Sequence, residues 1–409
     1  MKVFLRTYGC RANQYDSEAV RSMLTDAGLE IAESAESADV AIFNSCTVTA
    51  EAEADLRAGV RAASRENGGV RSIIIGCAAG VPDRDESRAP LATLPGVDAV
   101  LPGADLVALS SALGISAPAR RPHTQSGARA LLRVQDGCDQ HCTFCATTIS
   151  RGANRSRAID EIIAEANRLA GVHPEIVITG IHIGTYGRDI RSSLGELMRE
   201  LIRATPVVRF RLSSVEATEV DPCLADLLRA DPLRLAPHLH APLQSGSDSV
   251  LRRMGRNWYT AGEYERAVTE LTSGLPTFGL SGDVIAGFPG ETEDDHSATL
   301  ELIERLPYTA LHVFPYSARP GTAATRLSGH VNGAVARRRA GELRALANEK
   351  AGAYAALRVG GRCDVVVTER GKGLTEDYLS VSIPDLTIPR RARFRGTLAS
   401  DAGLTAIPS

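Results

Sequence analysis

A chain of 409 residues has room for two or three domains, each with its own core. Its 44% apolar and 23% charged residues are those of an ordinary soluble protein, and no run of about 18 apolar residues offers a transmembrane helix. A net charge of −3 excludes a polycation, so any nucleic-acid contact has to be local. Met1-Lys-Val-Phe-Leu-Arg6 enters a strand at once, without the long apolar core and small-residue cleavage site of a secretory signal, so a cytoplasmic protein is expected. In that compartment disulfides are disfavoured, and clustered cysteines more often bind metal or do redox chemistry.

The first segment, residues 1–117, alternates apolar strands (3–7, 39–44, 72–75, 99–101) with helical stretches (16–27, 50–65, 106–113). Such alternation predicts an open parallel α/β sheet, in which ligands gather at the carboxyl ends of the strands. Cys10, Cys46 and Cys77 each stand just past a strand, so residues far apart in sequence are expected to converge on one sheet edge. A polar stretch with Pro, Gly and Ser, about 118–129, reads as a linker.

The central segment, 130–357, resumes the alternation with strands at 130–134, 175–179, 208–213, 239–243, 278–285 and 310–315. One intervening helix carries Ile159, Ile162, Ile163, Ala166 and Leu169 at helical spacing. Six strand–helix units are too few for a closed eight-fold barrel and predict a partial (β/α)6 barrel, left by a long helix over 334–357. Residues 358–409 hold short alternating strands at 363–368, 378–382 and 392–398 and no convincing helix. That pattern predicts a small all-β barrel of a kind that often binds nucleic acid. Arg391, Arg393 and Arg395 fall on one face of its last predicted strand, opposite Ala392 and Phe394.

Six of the eight cysteines form two groups of three: the spread set, and Cys138, Cys142 and Cys145 in the loop Gly137-Cys-Asp-Gln-His-Cys-Thr-Phe-Cys145. Sulfurs at that spacing cannot share one regular helix or strand face, so the loop has to wrap around something. Structural zinc wants four ligands, and His141, adjacent to Cys142, would chelate the same ion only under strain. A redox thiol pair would leave the third cysteine idle. Iron–sulfur clusters normally take four thiolates, so three per group imply an iron left open to a small molecule. Cys223 and Cys363 match no ligand spacing and read as unligated small residues.

The loop resembles the cluster motif of radical S-adenosylmethionine (SAM) enzymes, and the chain as a whole is similar to the methylthiotransferases. The strings that carry the likeness are Tyr8-Gly-Cys-Arg-Ala-Asn-Gln-Tyr-Asp-Ser-Glu18, Asn44-Ser-Cys-Thr-Val-Thr49, Arg155-Ser-Arg157, Pro242-Leu-Gln-Ser-Gly-Ser247, Asp283-Val-Ile-Ala-Gly-Phe-Pro-Gly-Glu291 and Phe314-Pro-Tyr-Ser-Ala-Arg-Pro-Gly-Thr322. The resemblance implies a cluster-bearing N-terminal domain, a radical SAM barrel and a C-terminal RNA-binding module of the TRAM type. It implies two [4Fe–4S] clusters, one on Cys138, Cys142 and Cys145 and one on Cys10, Cys46 and Cys77, with these six cysteines serving catalysis. Two SAM molecules would be consumed per turnover, one as methyl donor and one as radical source. An electron donor such as flavodoxin or ferredoxin, a tRNA anticodon loop, no membrane and action as a monomer are the implied partnerships.

Phe144, Thr179, Gly180, His182, Ser214, Glu216, Gln244, Ile285 and Gly287 occupy the positions that the likeness implies for SAM binding, though turns, caps and surface carboxylates would read the same way. For RNA, the implied contacts are Arg151, Arg155 and Arg157 past the cluster loop, with Tyr378, Arg391, Arg393 and Arg395 in the last segment. An ordinary charged strand face or solvated loop would look alike. Thr148, Ala78 and Gly80 depart from the usual residues of relatives, which touches loop shape and no ligand. The strings resemble most the branch that methylthiolates C2 of N6-threonylcarbamoyladenosine next to the anticodon. Branches acting on isopentenyladenosine or on a ribosomal-protein aspartate are the alternatives, and a non-catalytic iron–sulfur RNA-binding carrier is the competing class.

Overall fold

Val40, Ala41, Ile42 and Phe43 are all buried, the mark of a strand covered on both faces as parallel strands are. That strand sits centrally in the first of two units into which the computed structural model divides. The structure describes residues 1–46, 50–81, 90–116, 124–319, 321–400 and 403–408; the first half of the linker expected over 118–129 lies outside these. The first unit comprises Met1–Ser126, Asp136–Arg155 and Ser317–Thr325. Its chain order is β1 (Lys2–Thr7), α1 (Arg11–Asp26), β2 (Glu30–Ala32), β3 (Val40–Ser45), α2 (Ala50–Glu66), β4 (Arg71–Gly76), α3 (Cys77–Gly80), β5 (Val97–Pro102) and α4 (Leu106–Leu113). The strands form one parallel sheet ordered β2-β1-β3-β4-β5. Phe43 and Ile74 pack with Leu56 and Val60 on one face, and Ile42 and Ile73 with Val20 and Leu24 on the other. The cysteine loop and the short helix α5 (Thr147–Arg151) belong to this unit.

The second unit comprises Gly127–Gln135, Ser156–Tyr316 and Arg326–Ser409. After β6 (Ala130–Arg133) and the two-residue strands β7 (Gln135–Asp136) and β8 (Arg155–Ser156) come α6 (Ile159–Ala170), β9 (Glu175–Thr179), α7 (Leu194–Ala204), β10 (Arg209–Leu212), α8 (Pro222–Ala230) and β11 (His238–His240). Then follow α9 (Asp248–Arg253), α10 (Ala261–Thr272), β12 (Gly279–Ala286), α11 (Glu293–Arg305), β13 (Ala310–Pro315) and α12 (Gly333–Arg358). Sheets β10-β9-β6 and β11-β12-β13 are both parallel, and bridges Phe210–Leu235 and Ser214–His240 join them edge to edge. The result is a curved run of six strands in sequence order, as the strand count predicts. Leu132, Ile178, Phe210, Leu239 and Val284 face the helices in one continuous core with Leu197, Leu224, Val268 and Leu302.

The chain ends in a closed barrel of β14 (Arg362–Glu369), β15 (Lys372–Leu374), β16 (Ser380–Ser382), β17 (Arg393–Ser400) and β18 (Leu404–Pro408). Two of its strands, β15 and β18, escaped the sequence reading: one is three residues long and contains Gly373, and the other follows the turn at Gly403. A fully buried charge centre pins this barrel to the open one. Glu175 receives Arg209 Nε at 2.6 Å, Arg211 Nε at 3.0 Å and Arg129 Nη1 at 3.2 Å. The same arginines donate outward to the C-terminal barrel: Arg209 to the Asp364 carbonyl at 2.7 Å, and Arg211 to the Thr375 and Glu376 carbonyls at 2.8 and 3.0 Å.

Burial alone would raise the Glu175 pKa, but Arg211, Arg209 and Arg129 outweigh it and hold the carboxyl well below its ordinary range. A depressed carboxyl stabilises fully above its unfolded pKa, and that contribution fades only as the pH falls through the folded value. Glu175→Ala takes the shared carboxylate from two buried guanidiniums, Arg209 and Arg211, and from half-buried Arg129, and is expected to cost about 3–5 kcal/mol. A lowered urea midpoint, with proteolysis releasing the last segment first, is the expected reading; an unchanged midpoint refutes the pinning.

Candidate metal centre

The spread cysteines converge because β1, β3 and β4 are adjacent parallel strands whose carboxyl ends fall at one edge. Cys10 caps the start of α1 and reaches solvent, while Cys46 and Cys77 are buried. The approach is tight: Gly9 has φ +122°, and a Cβ there would lie 2.4 Å from Cys46 Cβ, so no side chain fits between the two cysteine-bearing turns. Beneath the sulfurs runs a buried amide web. Asn13 donates to Asn44 Oδ1 at 3.0 Å, and Asn44 donates to the Asn13 carbonyl at 2.8 Å and to Ser17 Oγ at 2.9 Å. Asn13 Oδ1 also accepts from Cys10 Sγ at 3.3 Å.

The compact loop is stitched by its own backbone. Cys138 N–H donates to the Gly152 carbonyl at 3.0 Å, and Cys145 N–H to the Cys142 carbonyl at 3.1 Å. All three of its cysteines are half-buried. Backbone N–H groups point at the sulfurs: Gln140 N lies 3.4 Å from Cys138 Sγ and Thr147 N 3.4 Å from Cys145 Sγ.

Arg151, two turns past Cys145, joins the two cysteine groups. Its Nε donates to Cys77 Sγ at 3.2 Å and its Nη2 to Asp16 at 2.8 Å, and its Nη1 lies 3.3 Å from Asp136. Burial opposes its charge, but Asp16, Cys77 and Asp136 more than offset that and raise the guanidinium pKa above the arginine norm. Desolvation pushes the Cys10 thiol up, against the pull of Asn13 and Arg151. Helix α5 can come so close because position 80 is glycine: a Cβ there would lie 3.2 Å from the Ser150 carbonyl oxygen. The departure noted at Gly80 thus has a packing reason. Arg151 itself is a correction, since it is buried among carboxylates and a thiol and has no free face for RNA phosphate.

Other expected positions divide. Arg155 keeps 61% of its side chain exposed, as an RNA contact needs, whereas Arg157 turns inward to Glu165 at 2.7 Å. Tyr378 is no open stacking platform, because its ring lies on His238 at 4.5 Å with Arg211 and Arg129 against it. Arg391 precedes β17 at φ 72° and so leaves the shared strand face; Arg393 pairs with Asp364 at 2.6 Å, and Arg395 stays exposed.

Of the SAM candidates, Thr179 ends β9 with its Oγ1 buried and unpartnered among the described residues. Gln244 holds the strained φ of 64°, its carbonyl accepting from half-buried Ile285 at 3.0 Å. Gly180 follows Thr179 in the turn that Gln135 braces by accepting from Ile181 and His182 N–H. Ser214 is exposed and Phe144 half-buried. Three others are spent on structure. Glu216 holds Arg256 and Trp258, His182 bonds Glu219 at 2.7 Å, and Gly287 packs on Ala336 of α12. Asn13, Asp16 and Asn44 were missed; their signal was a run of polar residues at α1 spacing just past Cys10, and one polar residue ending an apolar strand.

The donor set suits iron–sulfide better than a lone ion: two thiol triads in one unit, with backbone N–H groups at Cys138 and Cys145 and one buried guanidinium at Cys77 that compensates thiolate charge. The six cysteines would be the ligands. The family described as "Uncharacterized protein family UPF0004" matches residues 2–100, and the "Radical SAM superfamily" matches 132–303. The threonylcarbamoyladenosine tRNA methylthiotransferase MtaB of Thermotoga maritima is 35% identical over 80% of this chain and 78% of its own. The MtaB of Bacillus subtilis is 34% identical over 97% and 90%, and that of Aquifex aeolicus 32% over 93% and 96%. Among solved structures, the radical S-adenosylmethionine methyltransferase TsrM of Kitasatospora setae, with cobalamin and a [4Fe-4S] cluster bound, superposes with TM-score 0.57 at 16% identity, covering 79% of this chain and 76% of that one. That likeness speaks for the fold alone.

Arg151→Met keeps the apolar stem of the side chain and removes the guanidinium that pairs with Asp16 and Cys77. After oxygen-free reconstitution it is expected to carry less iron and sulfide per chain than the wild type, with Arg151→Lys intermediate. Equal contents in all three proteins would remove Arg151 from the centre.

Proposed function

Because the chain belongs to the radical SAM methylthiotransferase family, we propose that it inserts a methylthio group at C2 of N6-threonylcarbamoyladenosine, next to the anticodon in tRNA. The observation that carries this reading is Arg151, donating from the helix after Cys145 to Cys77 Sγ at 3.2 Å, with both thiol triads in one unit. Replacing an aromatic C–H by C–S–CH3 is beyond acid–base catalysis and needs a radical, which is cofactor chemistry. When bound, a [4Fe–4S] cluster on Cys138, Cys142 and Cys145 supplies the electron that splits SAM, and a second on Cys10, Cys46 and Cys77 supplies or carries the sulfur. On this reading two SAM molecules serve each turnover, and a flavodoxin or ferredoxin delivers electrons to a monomeric, cytoplasmic enzyme.

The protein's own share is placement. Thr179 Oγ1 and the Gln244 turn offer polar atoms past the carboxyl ends of β9 and β11, where a barrel of this kind takes its small ligand. The anticodon loop is single-stranded, so the target base can leave its stack at modest cost. Exposed Arg155 and Arg395 suit the phosphates. Among the described residues no helix is long and apolar enough to cross a membrane.

Mass spectrometry of tRNA nucleosides tests the assignment. A strain lacking this gene should lose the methylthio group and keep N6-threonylcarbamoyladenosine, and the wild-type gene should restore it. In vitro, Cys142→Ala is expected to abolish 5′-deoxyadenosine formation, while Cys46→Ala keeps it but inserts no sulfur; loss of cleavage in both would contradict the division of labour. For RNA contact, Arg395→Glu should weaken tRNA binding and flatten its salt dependence by roughly 0.7 in the log–log slope. An unchanged slope sinks that contact.

A further inference from the structure

Alternation along β11, β12 and β13 sends Leu239, Leu280, Val284, Ala286 and Val313 to the helices. The opposite face therefore carries His240, Ser281, Asp283 and His312, and parallel register sets His240 beside Ser281 and Asp283 beside His312. Two imidazoles and a carboxylate result, with one donor atom from each lying within 4.8 Å of the others. None of the three belongs to either cysteine group, and none is used in the function proposed above.

We propose that His240, Asp283 and His312 form a site for a divalent transition-metal ion, zinc or iron(II) by the donor chemistry. Neutral imidazole with one carboxylate suits these ions. His240 is already aimed: its Nδ1 lies 2.9 Å from Ser281 Oγ, and its Nε2 lies 3.2 Å from Asp283 Oδ2. A hydroxyl bonded to the far ring nitrogen in this way orients a metal-binding imidazole. Ser281 can donate or accept, so it serves His240 whether Nε2 carries a proton toward Asp283 or yields that place to a cation. The His312 ring lies 5.7 Å from the His240 ring and is exposed, so ligation needs no burial of a third group.

Three protein ligands leave at least one coordination position open. The matching ligand is a carboxylate or hydroxyl oxygen, and the threonylcarbamoyl substituent has both, whereas an isopentenyl chain has neither. This second step rests on the substrate assignment above, and the metal site does not.

The test uses full-length protein reconstituted without oxygen, its thiols already filled with iron and sulfide. Equilibrium dialysis against zinc, with elemental analysis, should find one zinc per chain at unchanged iron content. His312→Ala and Asp283→Asn should lose it, and Ser281→Ala, a positioning change, should weaken it about 10–100-fold. Absence of that zinc in the wild type, or equal zinc in the variants, overturns the site. With zinc bound, N6-threonylcarbamoyladenosine nucleoside should bind more tightly than isopentenyladenosine, and His312→Ala should abolish the difference. Equal binding overturns the ligand while the tRNA nucleoside analysis still judges the reaction, so the two failures are told apart.

Discussion

A guanidinium shut away from water has to find acceptors on every side, and that demand organises the first unit. Arg151 meets it with Asp16 from α1, Asp136 from the start of the cysteine loop and Cys77 from the start of α3, just past β4. Each partner belongs to a different stretch of chain, so satisfying one side chain brings the loop triad and the strand-end triad into a single body. Asn13 touches Cys10 and Arg151 and, through Asn44, the strand that leads to Cys46. The thiols are thus set by a connected polar web that is costly to open at any one point.

The open barrel is built on other terms. Its strands are apolar toward the helices, and their polar groups collect on the far face and at the carboxyl ends. There the backbone takes a shape it otherwise avoids: Gln244, a non-glycine, holds φ 64° between two strand residues of β12. Strain of this sort persists only where surrounding structure over-determines it, and it tends to mark functional ends of sheets.

Much of this architecture was readable beforehand. Strand–helix alternation placed Cys10, Cys46 and Cys77 at one edge, and the strand count foretold an open barrel, because both signals are periodic and local. What failed was pairing at a distance. Arg151-Gly-Ala-Asn-Arg-Ser-Arg157 reads as a basic surface run, yet two of its arginines are claimed by Asp16 and Glu165. Glu216 reads as a free carboxylate at a strand end until Arg256 and Trp258 close on it. Helix α1 begins at Arg11, earlier than the reading from 16 onward, because Asn13 and Asp16 are polar residues whose partners are buried with them. A one-dimensional string shows that a residue is charged, not who answers the charge.

The arginine–glutamate knot at Glu175 makes the last fifty or so residues a fitted part of the second unit and not a bead on a tether. A different tail grafted after α12 would leave Arg209 and Arg211 aimed at carbonyls that the graft does not present. Successful chimaeras should therefore carry their junction back into β9 and β10.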